Sequence, residues 1–380
     1  MASISFLMRC AVGVAAASSL AGCASTSAPA CAPARLAYVG TDGGQVQALR
    51  LDACTGELSS LGTVAQLTKP RWSVANPTLP VLYVADDVAG KDGSVVAFAV
   101  NRDTGALTRL GATDAGGIGT THLWLDAPSS TLVAANFFSG SATTLPLNAD
   151  GSVGAVASTI KETGSGPTKR QTKAHAHGIA LDPGGHWALV SDLGADRVFV
   201  YGFDRATHAL SPDDAAQPRA FAVAPGSGPH HAVFSPDGRF VYVLDELSAD
   251  VQVLHWDAHD ARLAPVQSLS ISSEPYTGAK SGAEIAVSRD GRFVYVEDRG
   301  ENTLVVYRAD AGTGELSLLQ RVPSGGDKPW GFAIDPSGRW MLVANAAKVS
   351  LFGIDPAGGA LSDTGQSVDS ATPLSIAFMP

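Results

Sequence analysis

HAVFSPDGRFVYVLDE, residues 231–246, decides the fold. A short apolar strand runs into a Ser-Pro-Asp-Gly turn, and a second apolar strand leaves it to end on Asp245 and Glu246. The same arrangement recurs on either side as HGIALDPGGHWALVSD (177–192), EIAVSRDGRFVYVED (284–298) and WGFAIDPSGRWMLVAN (330–345). Weaker copies are WSVANPTLPVLYVADD (72–87) and HLWLDAPSSTLVAAN (122–136). A seventh is split, with TPLSIAFMP (372–380) supplying the first strand and LAYVGTD (36–42) the second.

The equivalent turn residues Pro77, Ala127, Pro183, Pro236, Arg289, Pro336 and Pro380 are spaced by 50, 56, 53, 53, 47 and 44 residues. A second turn-plus-apolar marker keeps step at Leu58, Leu107, Val153, Leu210, Leu263, Leu316 and Leu361. Two hairpins per period make a four-stranded antiparallel blade. Seven blades around an axis make an all-β, seven-bladed β-propeller spanning residues 35–380. The split copy predicts a ring closed by N- and C-terminal strands sharing one blade.

Before the repeats, residues 1–22 carry one charge, Arg9, followed by the small and apolar run AVGVAAASSL. This is a processing segment. Leu20-Ala21-Gly22-Cys23 resembles a bacterial lipoprotein signal in which Cys23 is lipidated; an ordinary cleaved secretory signal is the alternative. Residues 23–34 then read as the lipidated Cys and a Pro/Ala/Ser-rich tether. The expectation is an exported protein on the periplasmic side of a bacterial membrane, touching that membrane only through its lipid. Cys31 and Cys54 are the remaining pair. In a hairpin turning on Asp42 and Gly43, opposing residue numbers total 85, as theirs do. An oxidising compartment permits a Cys31–Cys54 disulfide, although a slip of one register would leave two free thiols.

The whole chain has 36 acidic and 26 basic side chains, a net charge of −10, with 45% hydrophobic and 16% charged residues. That is a globular composition, without a basic block for nucleic acid. Because propellers close their own sheets, a monomer is expected.

In a propeller the starts of the inner strands and the ends of the second strands lie on one face. The first set is Arg71, His122, His175 and His177, His230 and His231, Glu284, Trp330 and Leu374. The second is Asp86 and Asp87, Asn136, Asp192, Glu246, Arg299 and Asn345. Five of the nine histidines fall at inner-strand starts, which points to one pocket. Asp and Asn after a strand are also ordinary turn formers, so a structural role competes for the acids and asparagines. His175 and His177 share a strand face and could hold zinc with His231 or Glu246, but no Cys ligand or HExxH motif accompanies them, and no metal is expected. A serine nucleophile elbow is absent from the sequence.

HAHGIALDP, GPHHAVFSPDGRFVYVLDEL, AEIAVSRDGRFVYVEDRG, KPWGFAIDPSGRW and VAANFFSG resemble the seven-bladed propeller lactonase family, which includes propeller-type 6-phosphogluconolactonases and fungal carboxymuconate cyclases. The resemblance implies a lactone hydrolase without a cofactor, acting on a small, sugar-derived lactone. It implies catalytic roles for His177, Glu246, Arg299 and His231 and a substrate-positioning role for Asn136. On this reading His177 is the base and Glu246 orients it or a nearby water, while Arg299 and His231 stabilise the oxyanion. His122, His175, His230, Glu284, Arg71 and Trp330 complete the expected substrate-binding set. His230 and Trp330 stand where the family pattern has arginines, which argues against a phosphorylated substrate. A non-catalytic periplasmic binding propeller and a muconate-cyclase-like isomerase are the alternatives.

Overall fold

The structure, a computed structural model, describes residues 1–2, 34–88, 90–211 and 219–380. Cys10, Cys23, Cys31 and the signal and tether segments lie outside the described residues, apart from Met1, Ala2 and Ala34. Seven antiparallel sheets form the propeller, and the described residues hold no helix. The inner strands of blades one to six are Pro70–Ala75, Thr120–Asp126, Ala176–Leu181, Pro229–Phe234, Gly282–Val287 and Gly331–Ile334. In blade seven Pro373–Phe378 is innermost and pairs with Arg35–Thr41, as the split repeat requires.

The sequence explains the hairpins locally. In the DPGG, SPDG, SRDG and DPSG turns, Gly185, Gly238, Gly291 and Gly338 have φ of 69–73°, a region that costs glycine little. The weaker second copy has no such glycine and puts Ser130 at φ 52°. Asp182 and Asp335 each accept two backbone N–H groups from the residues that start the next strand, fixing where it begins. Outer strands are poorest where the second marker is weakest. Val153 makes only an isolated bridge, and the outer edge of blade three is divided between Ala209–Ser211 and Ala220–Ala222.

Seven buried apolar clusters hold the ring, each joining two neighbouring blades. Val133 and Ala135 of blade two, for example, pack with Ile179 and Val190 of blade three. Blade stacking, rather than a single central core, therefore supplies the hydrophobic stabilisation.

The first hairpin departs from the expected register. Arg35 pairs with Leu51 and Gly40 with Val46, so opposing numbers total 86. The loop has three residues, Asp42, Gly43 and Gly44, because Gly44 at φ 84° adopts the left-handed conformation after a turn closed by Gly44 N–H on the Thr41 carbonyl. Cys54 lies in the turn that follows, its backbone N–H capped by Asp52, and the expected partner Cys31 is outside the described residues.

Asp245, at the end of the second strand of blade four, is fully buried. One oxygen accepts from Gln252 and the other has no partner. Burial, reinforced by the charges of Asp250 and Asp196, pushes its carboxyl up to about 8 despite the Gln252 hydrogen bond. Blades two and six carry neutral Asn136 and Asn345 at this place. The unfolded carboxyl titrates near ~3.9, so the native state retains a proton that the unfolded state releases, and stability falls as pH rises from about 4 to about 8. Asp245→Asn is expected to stabilise the protein by on the order of 2–4 kcal/mol at about pH 8 and by almost nothing near pH 3. Urea melts at both pH values check this, and an equal gain at both would contradict it.

Candidate active site

Six of the seven inner strands carry a β-bulge at the same end. The residues skipped by the pairing are Arg71, Thr121, His177, His230, the pair Ala283–Glu284, and Leu374. A bulge breaks the two-residue alternation and re-aims side chains at the end of a strand. Arg71, Thr121, His177, His230 and Leu374 all border one pocket of about 190 Å³ on the axial face. The bulge also explains why His230 and His231, adjacent in sequence, both reach it.

The acids that end the second strands fix the loops entering these bulges. Asp86 accepts from the backbone of Thr68 and Lys69, immediately before Pro70. Asp192 accepts from His175 N–H and Ala195 N–H. These two are turn-forming residues, as the competing structural reading allowed.

Among the sequence-derived candidates, His177, His230, His231, Glu246, Arg299, Arg71 and Trp330 border the pocket together. Glu246 lies at its centre of charge. Its Oε1 accepts from Arg170 at 2.6 Å and from Arg299 at 2.8 Å, and its Oε2 lies 3.8 Å from His230 Nε2. Arg299 also donates to Ser281 Oγ and stacks over Trp330, with 4.4 Å from guanidinium carbon to ring centre. Arg71 is paired with Asp87 at 3.3 Å. Trp330 and Phe138, 43% and 49% exposed, form an aromatic rim.

His231, expected as an oxyanion stabiliser, is instead held by a carboxylate. Its Nδ1 lies 2.9 Å from Glu284 Oε1, the same oxygen that accepts the backbone N–H of Ile285. A carboxylate only accepts, so this contact puts the proton on Nδ1 and leaves Nε2 as the basic nitrogen. Glu246 contacts Arg170, Arg299 and His230 and shares no hydrogen bond with His177, so of its two expected roles the direct orientation of His177 is not seen. Instead, the His177 ring lies 3.7 Å from that of His230, and the buried Nδ1 atoms of both lack a partner. Burial holds both imidazoles well below their usual range. Next come His231, Arg170, Arg299 and Arg71 for His177, and His177, His231, Arg299 and His122 for His230.

Four expected substrate contacts are placed elsewhere. Asn136 is fully buried, its Nδ2 donating to the Ala115 carbonyl and Thr143 Oγ1 while its Oδ1 accepts from Thr120 Oγ1. Asn345 is held in the same way, by the carbonyl and hydroxyl of Ser324 and by Ser350, so the side chain ties strands together rather than reaching a substrate. His175 stacks on Phe137 with ring centres 4.4 Å apart and donates from Nδ1 to the Phe137 carbonyl, shaping the wall. Glu284 stands behind His231. His122 lies deeper along the axis, its ring 4.3 Å from Trp72 and 4.7 Å from His231, with Nδ1 accepting Ile179 N–H.

Arg170, Phe137, Phe138 and Thr121 also border the pocket and were missed. Arg170 comes from the loop between blades two and three, where the basic run Lys169-Arg170 was the available signal.

The fold has known relatives. Residues 36–378 match the family model described as lactonase, 7-bladed beta-propeller. The 6-phosphogluconolactonase of Bacillus subtilis is 29% identical over 350 residues, covering 90% of this chain and 98% of that protein. A 6-phosphogluconolactonase of Formosa agariphila is 29% identical over 296 residues, covering 77% and 82%. The solved structure of PpgL, a periplasmic gluconolactonase of Pseudomonas aeruginosa, superposes with a TM-score of 0.84 at 29% identity, covering 92% of this chain and 99% of that one.

Proposed function

The chain belongs to the seven-bladed β-propeller lactonase family and is a lactonase-like hydrolase, and on that premise we propose that it opens a single-ring, sugar-derived lactone that is neutral or carries one carboxylate. The observation that carries the mechanism is the Glu284–His231 contact at the edge of a pocket that also holds Arg299. His231 Nε2 takes a proton from water as the oxygen adds to the lactone carbonyl. Arg299 and the neutral ring of His230 stabilise the oxyanion. Collapse of the tetrahedral adduct breaks the ring C–O bond, and His231 returns the proton to the departing alkoxide. Glu284 balances the transient imidazolium, as the buried carboxylate of a hydrolase triad does.

Size and charge support the substrate class. A pocket of about 190 Å³ is smaller than the ~300–1,000 Å³ clefts that take drug-sized ligands. Its three lining arginines, Arg71, Arg170 and Arg299, face two carboxylates, Asp87 and Glu246, that already engage them. One net positive charge suits a hydroxyl-rich or singly charged ring better than a phosphate dianion. Assayed on neutral, carboxylated and phosphorylated aldonolactones, the purified full chain is expected to show its highest kcat/KM on the first two. A preference for the phosphorylated ring would overturn the charge assignment, and failure on every lactone would favour a binding platform.

The leader supports an exported, lipid-anchored protein on the periplasmic side, with lipid on Cys23 and a Cys31–Cys54 disulfide. Cys23→Ser is expected to move the protein from the membrane fraction to the soluble periplasmic fraction or to leave its leader attached. Unchanged processing and membrane association would refute the anchor.

A further inference from the structure

Large aromatic side chains gain by burial, and a pair left in water at one place marks a surface that meets a ligand. Among the described residues the exposed Phe, Tyr and Trp side chains are Trp330 and Phe138, and both border the same pocket. They come from different blades. Trp330 precedes Gly331–Ile334, the inner strand of blade six, and Phe138 follows Thr131–Asn136 of blade two. Blades two and six are three steps apart in a ring of seven, so the two aromatic rings flank the mouth from opposite sides.

Both rings are anchored. Trp330 N–H donates to the Ala344 carbonyl, and the indole lies against the Arg299 guanidinium, 4.4 Å from ring centre to guanidinium carbon. Phe138 N–H donates to the Ile118 carbonyl, its own carbonyl accepts from Lys173 Nζ at 2.6 Å, and its ring stands edge-on to Phe137 with centres 5.2 Å apart. Gly119 makes room for it, since a Cβ there would lie 2.5 Å from Phe138 Cδ2. Arg170, with a side chain 53% exposed, adds guanidinium N–H donors on the same side beyond the one that Glu246 accepts. An aromatic face beside exposed donors suits a sugar ring, whose C–H face stacks while its hydroxyls accept hydrogen bonds.

We propose that this rim is a second subsite, for a sugar joined to the lactone. The lactone is the single ring inside the pocket of about 190 Å³, and the linked sugar stacks on Trp330 outside it, with Phe138 and Arg170 on the far side. The substrate class is then a disaccharide aldonolactone. An apolar tail fits less well, because the exposed Arg170 and Lys173 would lose water without gaining a partner. Trp330 stands where the family pattern has an arginine, and the exchange replaces a charge with a stacking face. The proposal deepens the lactonase reading and rests on it.

The test compares kcat/KM on glucono-δ-lactone with that on cellobiono-δ-lactone and melibiono-δ-lactone, which carry a second sugar at different positions. For the full chain at least one disaccharide lactone is expected to be favoured about five- to ten-fold, equivalent to ~1–1.4 kcal/mol for one stacked ring. Trp330→Ala should remove that preference, and Trp330→Tyr, which keeps an aromatic face, should retain most of it. A purely structural role for Trp330, exerted through Arg299, would instead lower the rates on one- and two-ring substrates alike. Circular dichroism melts establish that each variant is folded; should Trp330→Ala fail, Phe138→Ala replaces it and should reduce the preference. No preference in the wild type for either disaccharide lactone, or a preference unchanged in the folded variants, overturns the proposal. Calorimetry with the ring-opened acids separates the two readings, since cellobionate or melibionate should bind more tightly than gluconate by a similar factor. That difference without turnover of any lactone would sink the lactonase reading and leave the rim subsite standing, whereas turnover at equal kcat/KM on one- and two-ring lactones would do the reverse.

Discussion

His231→Ala is expected to lower kcat/KM for lactone opening about 10²–10⁴-fold, the range a positioned acid–base group contributes. The variant removes the only pocket histidine whose ring is set by a carboxylate among the described residues: Nδ1 is 2.9 Å from Glu284, whereas the Nδ1 atoms of His177 and His230 are unpartnered. Glu284 then separates two contributions. Glu284→Gln keeps an oxygen that can accept from both His231 and Ile285 but loses the charge opposite the imidazolium, so a drop of roughly ten-fold, about 1.4 kcal/mol, is expected. Glu284→Ala removes orientation as well and should approach the His231→Ala value. Initial rates on one neutral lactone suffice for the comparison. A His231→Ala enzyme within two- or three-fold of wild type would remove His231 as the base.

Removing residues 373–380 is expected to abolish the cooperative native fold. Pro373–Phe378 is the inner strand of blade seven, and nothing else pairs with the inner edge of Arg35–Thr41. Its side chains complete two of the seven inter-blade clusters: Ala377 and Met379 pack with blade one, and Ile376 and Phe378 with blade six. Leu374 and Met379 are buried and Ile376 and Phe378 partly so. At ~1.5–3 kcal/mol per fully buried side chain, the loss is on the order of 5–10 kcal/mol, comparable to the whole ~5–15 kcal/mol stability of a typical domain. The shortened chain should show no sharp thermal transition, and adding the peptide 372–380 should restore one if ring closure is the cause. A truncated protein that melts cooperatively near the full-length temperature would show that the velcro-like closure is dispensable.

The propeller was legible because it is written locally. Turn glycines with positive φ, Asp and Ser caps and alternating strands recur with every blade, and the split repeat already implied closure by Pro373–Phe378. The first hairpin's register was misread by one because Gly43 and Gly44 stand in tandem, and either a two- or a three-residue loop satisfies that pair. The pocket was legible in part. Repeat position alone brought His177, His230, His231, Glu246, Arg299, Arg71 and Trp330 to one face, but the bulges that decide which neighbour points inward leave no mark in hydrophobic alternation. Asn136 followed the resemblance into a substrate role, whereas the structure gives it the same strand-tying bonds as Asn345. The Glu284–His231 contact joins blades four and five across 53 residues, and a separation set by ring closure cannot be read from spacing within either repeat.

The measurement that bears most directly on the account is the rate at which the purified full chain opens a neutral aldonolactone, followed by proton release against the spontaneous rate in the same buffer. Saturable turnover well above that rate, falling by about 10² or more in His231→Ala, is the result the Glu284–His231 site predicts. A wild-type rate equal to the spontaneous one, across neutral and carboxylated rings alike, would contradict it.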